Sequence, residues 1–187
     1  MFTESVLDLI GNTPLLHSPG ERVYAKAEFL NPGGSIKDRV ALAMIEGAER
    51  RGLLRPDSII MEPTSGNTGI GVVLVGRMKG YRVRIVMPEN MSEERKKLIT
   101  MLGGELVLTP AAASIGGAVE RVRQMQAEDP RIYVPQQFEN PDNPRVHYET
   151  TAQELWRQLA GNISCFVAGV GSGGTLQGIG KFLKEHR

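Results

Sequence analysis

The sequence predicts an α/β protein in which parallel sheets are flanked by helices, and three observations carry that prediction. From residue 57 onward, short apolar runs alternate with stretches of helical periodicity, so that each strand is followed by a helix. Cys165, Phe166, Val167 and Ala168 form a continuous apolar run, the pattern of a parallel strand buried on both faces. The 22 glycines among 187 residues, about 12% against a usual ~7%, cluster in GNT, NPGGS, TSGNTGIG and GVGSGGT, which reads as binding loops between regular elements.

The elements follow in order. Pro14 to Leu16 and Val23 to Ala27 read as two short strands separated by a Pro19-Gly20 turn. Ser35-Ile36-Lys37-Asp38 has the form of a capping box, with Ser35 as N-cap and Asp38 reaching back, so a helix starts there. The run Ser58 to Met61 is followed by a helix over Ile70 to Lys79, and Val83 to Met87 by a helix opened by Ser92 with Glu93 and Glu94. Leu106 to Leu108 precedes a helix that places Ile115, Ala118, Val119, Val122 and Met125 on one face. Ile132 to Val134 leads to a helix around Leu155 and Leu159, then to the strand from Cys165, then to a helix over about Thr175 to Glu185. A strand buried on both faces needs neighbours on both sides, and only one helix follows it, so the sequence predicts an incomplete second domain.

Composition excludes several functions. With 22 Lys+Arg against 21 Asp+Glu, a formal charge of +1 and 5% aromatics, neither a basic stripe nor a base-stacking platform is present, which argues against nucleic acid as a partner. No window approaches ~18 uninterrupted apolar residues, so no membrane span is expected, and the N-terminus lacks the basic start of a leader. Cys165 stands alone, and His17, His147 and His186 are too far apart for a metal-ligand spacing. These features fit a reducing, cytoplasmic setting. Cys165 reads as core, and His147 as a helix-surface residue.

One lysine is out of place. With ~100° per residue from Ile36, the residues Ile36, Val40, Ala41, Met44, Ile45 and Ala48 share one half of the first helix, while Asp38, Arg39, Glu46, Glu49 and Arg50 share the other. Lys37 falls in the middle of the apolar arc. A buried ammonium is costly, so such a lysine is paired, deprotonated or covalently used, unless it snorkels past the helix end to water.

Three loops have the chemistry to hold a ligand. Glu62-Pro63-Thr64-Ser65-Gly66-Asn67-Thr68-Gly69 joins a strand to a helix, where hydroxyls, backbone N–H groups and the helix dipole suit a carboxylate or phosphate. Gly69 and Gly71 make sense in that helix if it approaches another backbone closely. Gly169-Val170-Gly171-Ser172-Gly173-Gly174-Thr175 follows the apolar run and opens a helix; it matches G-x-G-x-x-G, lacks the Walker lysine, and suits a phosphate. Pro135-Gln136-Gln137-Phe138-Glu139-Asn140-Pro141 is turn-prone and carries two amides that can donate to a carboxylate.

Together, Asn31-Pro-Gly-Gly-Ser-Ile-Lys37-Asp-Arg39, Thr64-Ser-Gly-Asn67-Thr68-Gly69, Gln136-Gln137-Phe138 and Gly171-Ser-Gly-Gly-Thr175 resemble the signature of pyridoxal-phosphate enzymes of the tryptophan-synthase-β fold type. The O-acetylserine sulfhydrylase, or cysteine synthase, branch is the nearest, through Met91 to Leu98 and the Gln-Gln-Phe segment. The resemblance extends over Gly11-Asn12-Thr13-Pro14-Leu15 and His147-Tyr148-Glu149-Thr150-Thr151. It implies pyridoxal 5'-phosphate as cofactor, with Lys37 forming the Schiff base and acting as base and acid. It implies that Asn67 and residues Gly171, Ser172, Gly173, Gly174 and Thr175 bind the cofactor, and that Thr64, Ser65, Gly66, Thr68 and Gln137 hold the substrate carboxylate. The implied reaction makes L-cysteine from O-acetyl-L-serine and sulfide, releasing acetate. Cystathionine β-synthase chemistry, with serine and homocysteine, and a non-catalytic binding module are the alternatives. The implied division is a small substrate domain at 35–141 and a partial large domain made of 1–34 and 142–187. Homodimerisation and docking of serine acetyltransferase are the implied associations. Members of that family continue well past residue 187 and there supply a serine beside the pyridine nitrogen.

Overall fold

The computed structural model describes residues 2–186, and its centre is a parallel four-stranded sheet of order β5-β4-β3-β6. The strands are β3 (Ile59–Pro63), β4 (Arg82–Pro88), β5 (Glu105–Thr109) and β6 (Ile132–Tyr133). Their register pairs Ile59 with Arg82 and with Ile132, and Arg84 with Glu105. Helices α2 (Asn67–Met78), α3 (Glu93–Met101) and α4 (Ser114–Glu128) follow β3, β4 and β5 in turn. Three layers result. Ile60, Val83, Ile85 and Met87 pack on one face with Val72, Val73 and Val75 of α2 and Ile99 of α3. Ile59, Met61 and Val86 pack on the other with Ala118 and Val122 of α4. Ile59 to Glu62 are buried throughout, as two-sided cover of a parallel strand requires.

Helix α1 (Lys37–Arg50) lies on α2, adding Ala41, Ile45 and Ala48 to the same apolar cluster. Gly71 allows this contact: a Cβ there would lie 2.9 Å from the Lys37 carbonyl oxygen, so the start of α2 passes directly over the start of α1. A Cβ at Gly69 would lie 3.1 Å from Thr64 Cγ2. The close approach to another backbone expected of these glycines is present at Gly71, whereas Gly69 faces side chains.

A third apolar cluster stands apart from the sheet. Strands β1 (Leu15–His17) and β2 (Tyr24–Lys26) form an antiparallel hairpin. Helix α5 (Asp142–Val146), a π-turn over His147–Thr151 and helix α6 (Ala152–Gln158) follow one another without a break, and α7 (Gly174–Glu185) packs across them. Ala152, Leu155, Ile179, Phe182 and Leu183 form this cluster, with Leu15, Trp156 and Phe166 against it. Phe182 contacts Tyr148 and Trp156 edge-on at 5.4 and 6.2 Å between ring centroids.

Four expectations are corrected. The run from Cys165 to Ala168 is not a strand: no ladder pairs with it among the described residues, Cys165 is exposed, and Val167 is 84% exposed. Apolarity gives a strand its burial, but only a neighbouring strand satisfies its backbone. The capping box is shifted: Ser35 Oγ accepts from the Lys37 N–H at 3.2 Å, and the Asp38 carboxylate accepts from Gly33 N–H at 2.5 Å, so Asp38 pins the glycine loop rather than Ser35. Asp38 and Arg39 are buried although they fall in the polar half of α1, because the first turn is covered by the segment before it. His147 is fully buried rather than on a helix surface.

The cover over that first turn is ionic. Arg39 donates from Nε and Nη2 to the Glu28 carboxylate at 2.8 Å each, and from Nη1 and Nη2 to Glu154 at 2.6 and 2.7 Å. Lys26 Nζ reaches Glu154 Oε2 at 2.6 Å, and the Asn12 N–H donates to Glu154 Oε1 at 3.1 Å. Burial alone would raise the Glu154 carboxyl, but hydrogen bonds from Arg39 and Lys26 outweigh it and hold the group down at about 2. The same balance leaves Glu28 below its ordinary range. This network fastens the hairpin and α6 to the N-terminal end of α1.

Candidate active site

Strand order places the site. From β3 the chain moves to β4 and β5 on one side, whereas β6 returns to the other side of β3, so the sheet has a topological switch point between β3 and β6. Ligands of open α/β sheets bind beyond the carboxyl ends of the strands at such a point. The loop after β3 is Thr64 to Gly66 and the loop after β6 begins at Val134; these contain two of the three segments singled out in the sequence.

Those loops meet. Thr68 Oγ1 in the first turn of α2 donates to Gln137 Oε1 at 2.7 Å, and both residues are buried. Thr64 is buried, and its Oγ1 accepts the Gly66 N–H at 3.2 Å, which tightens the turn before α2. Gln136 has φ +57°, a left-handed conformation that turns the chain back, and its carbonyl accepts from Glu139 and Asn140 at 2.9 Å each. Ser65 is half-buried, while Asn67, the first residue of α2, is exposed and makes no side-chain hydrogen bond among the described residues.

The glycine loop joins the same assembly through a residue the sequence reading did not single out. Asn143 Nδ2 donates to the Gln137 carbonyl at 2.8 Å and to Ser172 Oγ at 2.9 Å, and its Oδ1 is buried without a hydrogen bond among the described residues. Gly174 is required beside it, because any Cβ there would collide with the Asn143 amide. Gly173, at φ +81°, caps α7 in the left-handed region, and a Cβ built on Gly169, Gly171 or Gly173 meets nothing within 4 Å. The loop is therefore an open backbone cradle at the N-terminus of a 12-residue helix, whose first N–H groups have no intrahelical partner.

His147 closes the circuit. Its Nδ1 is 3.0 Å from Thr151 Oγ1 and its Nε2 is 3.3 Å from Thr175 Oγ1, so the imidazole is held at both nitrogens. Burial, with the positive charges of Lys37 and Arg39, pushes it down to about 4, and it is neutral at physiological pH. Asn143, His147 and Thr151 recur every fourth residue and are all buried, a polar stripe on one helix face; that spacing was the available signal, overlooked because polar helix faces usually meet water. The π-turn at His147–Thr151 is a local departure often found at functional sites.

Lys37 starts α1 beside this assembly. It is half-buried, its Nζ has no hydrogen bond or ion pair among the described residues, and burial lowers it from its ordinary value. Free of an acidic partner, it is nearer to the neutral amine than a surface lysine, as a covalent nucleophile requires. No cluster of three or more His, Cys, Asp or Glu able to hold a metal is present among the described residues, and no helix there is long and apolar enough to cross a membrane.

The sheet with its switch point, the helix-opening lysine and the glycine cradle bring an amine nucleophile and an anion-suited backbone loop into one assembly. The chain matches the family of pyridoxal-phosphate dependent enzymes over residues 6–187 and belongs to it; pyridoxal phosphate is its cofactor. It is 49% identical over 187 residues to a cysteine synthase of Flavobacterium sp., covering 97% of this chain and 61% of that protein. It superposes with a TM-score of 0.93 and 39% identity on the crystal structure of cysteine synthase from Entamoeba histolytica, covering 100% of this chain and 58% of that one. An O-acetylserine dependent cystathionine beta-synthase from Helicobacter pylori matches with a TM-score of 0.92 and 38% identity, over 99% of this chain and 63% of the other. The chain thus spans about three-fifths of the length of these relatives.

Proposed function

We propose that this chain carries the lysine, carboxylate subsite and phosphate cradle of an enzyme that makes L-cysteine from O-acetyl-L-serine and sulfide, with release of acetate. The observation that carries the proposal is the Thr68–Gln137 hydrogen bond across the switch point, beside a half-buried lysine without an acidic partner.

In this reading Gly171, Ser172, Gly173, Gly174 and Thr175 receive the phosphate, whose charge the open glycine backbone and the start of α7 complement. His147 and Asn143 hold Thr175 and Ser172 in place, and a neutral imidazole does so without drawing the anion away. Asn67, exposed at the start of α2 with a free amide, hydrogen-bonds the cofactor ring. When bound, pyridoxal phosphate serves as an electron sink for charge developing at the substrate Cα. Thr64, Ser65, Gly66, Thr68 and Gln137 bind the amino-acid carboxylate through hydroxyl, amide and backbone N–H donors, fixing the Cα–H toward Lys37. The Lys37 amine anchors the cofactor at rest, takes the Cα proton on its Nζ and returns it at the end.

The two apolar clusters on the sheet and the third beside it support a division into a substrate unit over 35–141 and a partial unit made of 1–34 and 142–187. A cytoplasmic homodimer, with serine acetyltransferase as a further partner, completes the proposal; the charge balance and single cysteine support the compartment.

Cystathionine synthesis from serine and homocysteine is the second reading; the Helicobacter pylori neighbour supports its product, although that enzyme is O-acetylserine dependent. Both rates measured on one preparation separate the two. The expected result is faster cysteine formation from O-acetylserine and sulfide than cystathionine formation from serine and homocysteine, and the reverse order would select the second reading.

A further inference from the structure

Glu62 ends the buried part of β3, directly before the Thr64 loop, and is 2% exposed. It makes no ion pair with any described residue. Its Oε2 accepts the Gln136 N–H at 3.3 Å across the switch point, and the Gln137 N–H also stabilises its charge. Gln136 is the residue held at φ +57°, and Gln137 is the one whose amide meets Thr68 at 2.7 Å. A carboxylate has no reason to be buried near the carboxyl end of an interior strand unless its hydrogen bonds do something that an apolar side chain would not.

We propose that Glu62 is a positioning residue for the substrate-carboxylate subsite: by gripping the N–H groups at Gln136 and Gln137 it holds the loop after β6 against β3, so that the Gln137 amide stays aligned with Thr68. It touches no substrate and acts through Gln137. The role rests on the subsite assignment above, but the grip itself is a property of this chain alone. Burial pushes Glu62 up to about 7, with the two backbone N–H groups opposing that rise, so the strength of the grip changes near neutrality. Tyr133 of β6 also feels its charge; Arg51 and Asp142 act on Tyr133 in turn.

The experiment uses the full chain and its Glu62→Gln and Glu62→Ala variants. Amide exchange at Gln136 and Gln137 and the Gln137 side-chain resonances are followed by NMR from pH 5.5 to 8.5, and O-acetyl-L-serine binding is titrated on each protein. In the parent the Gln137 side-chain shifts titrate near pH 7. In Glu62→Gln that titration disappears while the sheet stays protected, and in Glu62→Ala the two amides lose protection while O-acetyl-L-serine binds about tenfold more weakly, one hydrogen bond's worth. Unchanged amides in Glu62→Ala overturn the grip, and a pH-independent Gln137 in the parent overturns its loosening near neutrality. Loosened amides with undiminished binding overturn the positioning role. Absence of O-acetyl-L-serine binding to the parent, with the amide results as expected, removes the subsite assignment and leaves the grip standing.

Discussion

At the scale of single residues, the site is built by taking ionisable groups out of water and deciding which of them keep partners. Arg39 and Glu154 keep theirs, so both stay charged; Lys37 has none among the described residues and is lowered by burial; His147 is held neutral. These differences have measurable consequences. Glu154 sits at about 2, below its unfolded value near 4.5, so its contribution to stability is complete above pH 4.5 and is lost as pH falls toward 2. Replacing it by Gln leaves Arg39 half-paired and should cost ~3 kcal/mol at pH 7, with a flatter stability profile between pH 4.5 and 2, as read by urea unfolding. An equal pH profile in the variant would contradict the network's role. For ligand binding, Thr64→Ala removes a hydroxyl that also tightens its own turn, and O-acetyl-L-serine should bind roughly 10- to 100-fold more weakly, the value of a charge-assisted hydrogen bond. Retention of the cofactor's visible absorption in that variant separates the carboxylate subsite from the phosphate cradle.

Among the elements, α1 and α2 show what was legible in the sequence. Periodicity located both helices, and the glycines of α2 announced a close backbone approach, which Gly71 and the Lys37 carbonyl bear out. The first turn of α1 was not legible. A helical wheel assumes that the polar half faces water, whereas Asp38 and Arg39 face a segment ending at Gly33 and a carboxylate 115 residues away, neither of which local periodicity reports. His147 was misread for the same reason, its partners being Thr151 and Thr175 rather than solvent. The contact at Gly71 carries a prediction of its own. An alanine Cβ would press on backbone rather than on a side chain that can rotate away, so Gly71→Ala should cost ~1 to 3 kcal/mol and shift Lys37. Thermal unfolding reads the first effect and the pH dependence of Lys37 acylation the second; a neutral outcome in both would mean that the helices slide apart freely.

For the whole molecule, the parallel sheet was visible because each strand is short, apolar and followed by a helix, and its order then placed two of the three ligand loops at one switch point. Apolarity misled only where no ladder exists: Cys165 to Ala168 pairs with no strand among the described residues, with Cys165 and Val167 exposed, so it should exchange amide hydrogens far faster than Ile60 and Met61, which are fully buried in β3. Exchange at 165–168 as slow as in β3 would show a pairing absent from this structure. The account's central claim, that the loops are arranged around Lys37 as a cofactor site, is tested most directly by incubating the chain with pyridoxal phosphate, reducing the covalent adduct with borohydride and locating the label by peptide mass spectrometry. The account predicts a pyridoxyl group on Lys37, whose amine is the lowered one, and label spread instead over exposed lysines such as Lys181 and Lys184 would contradict it.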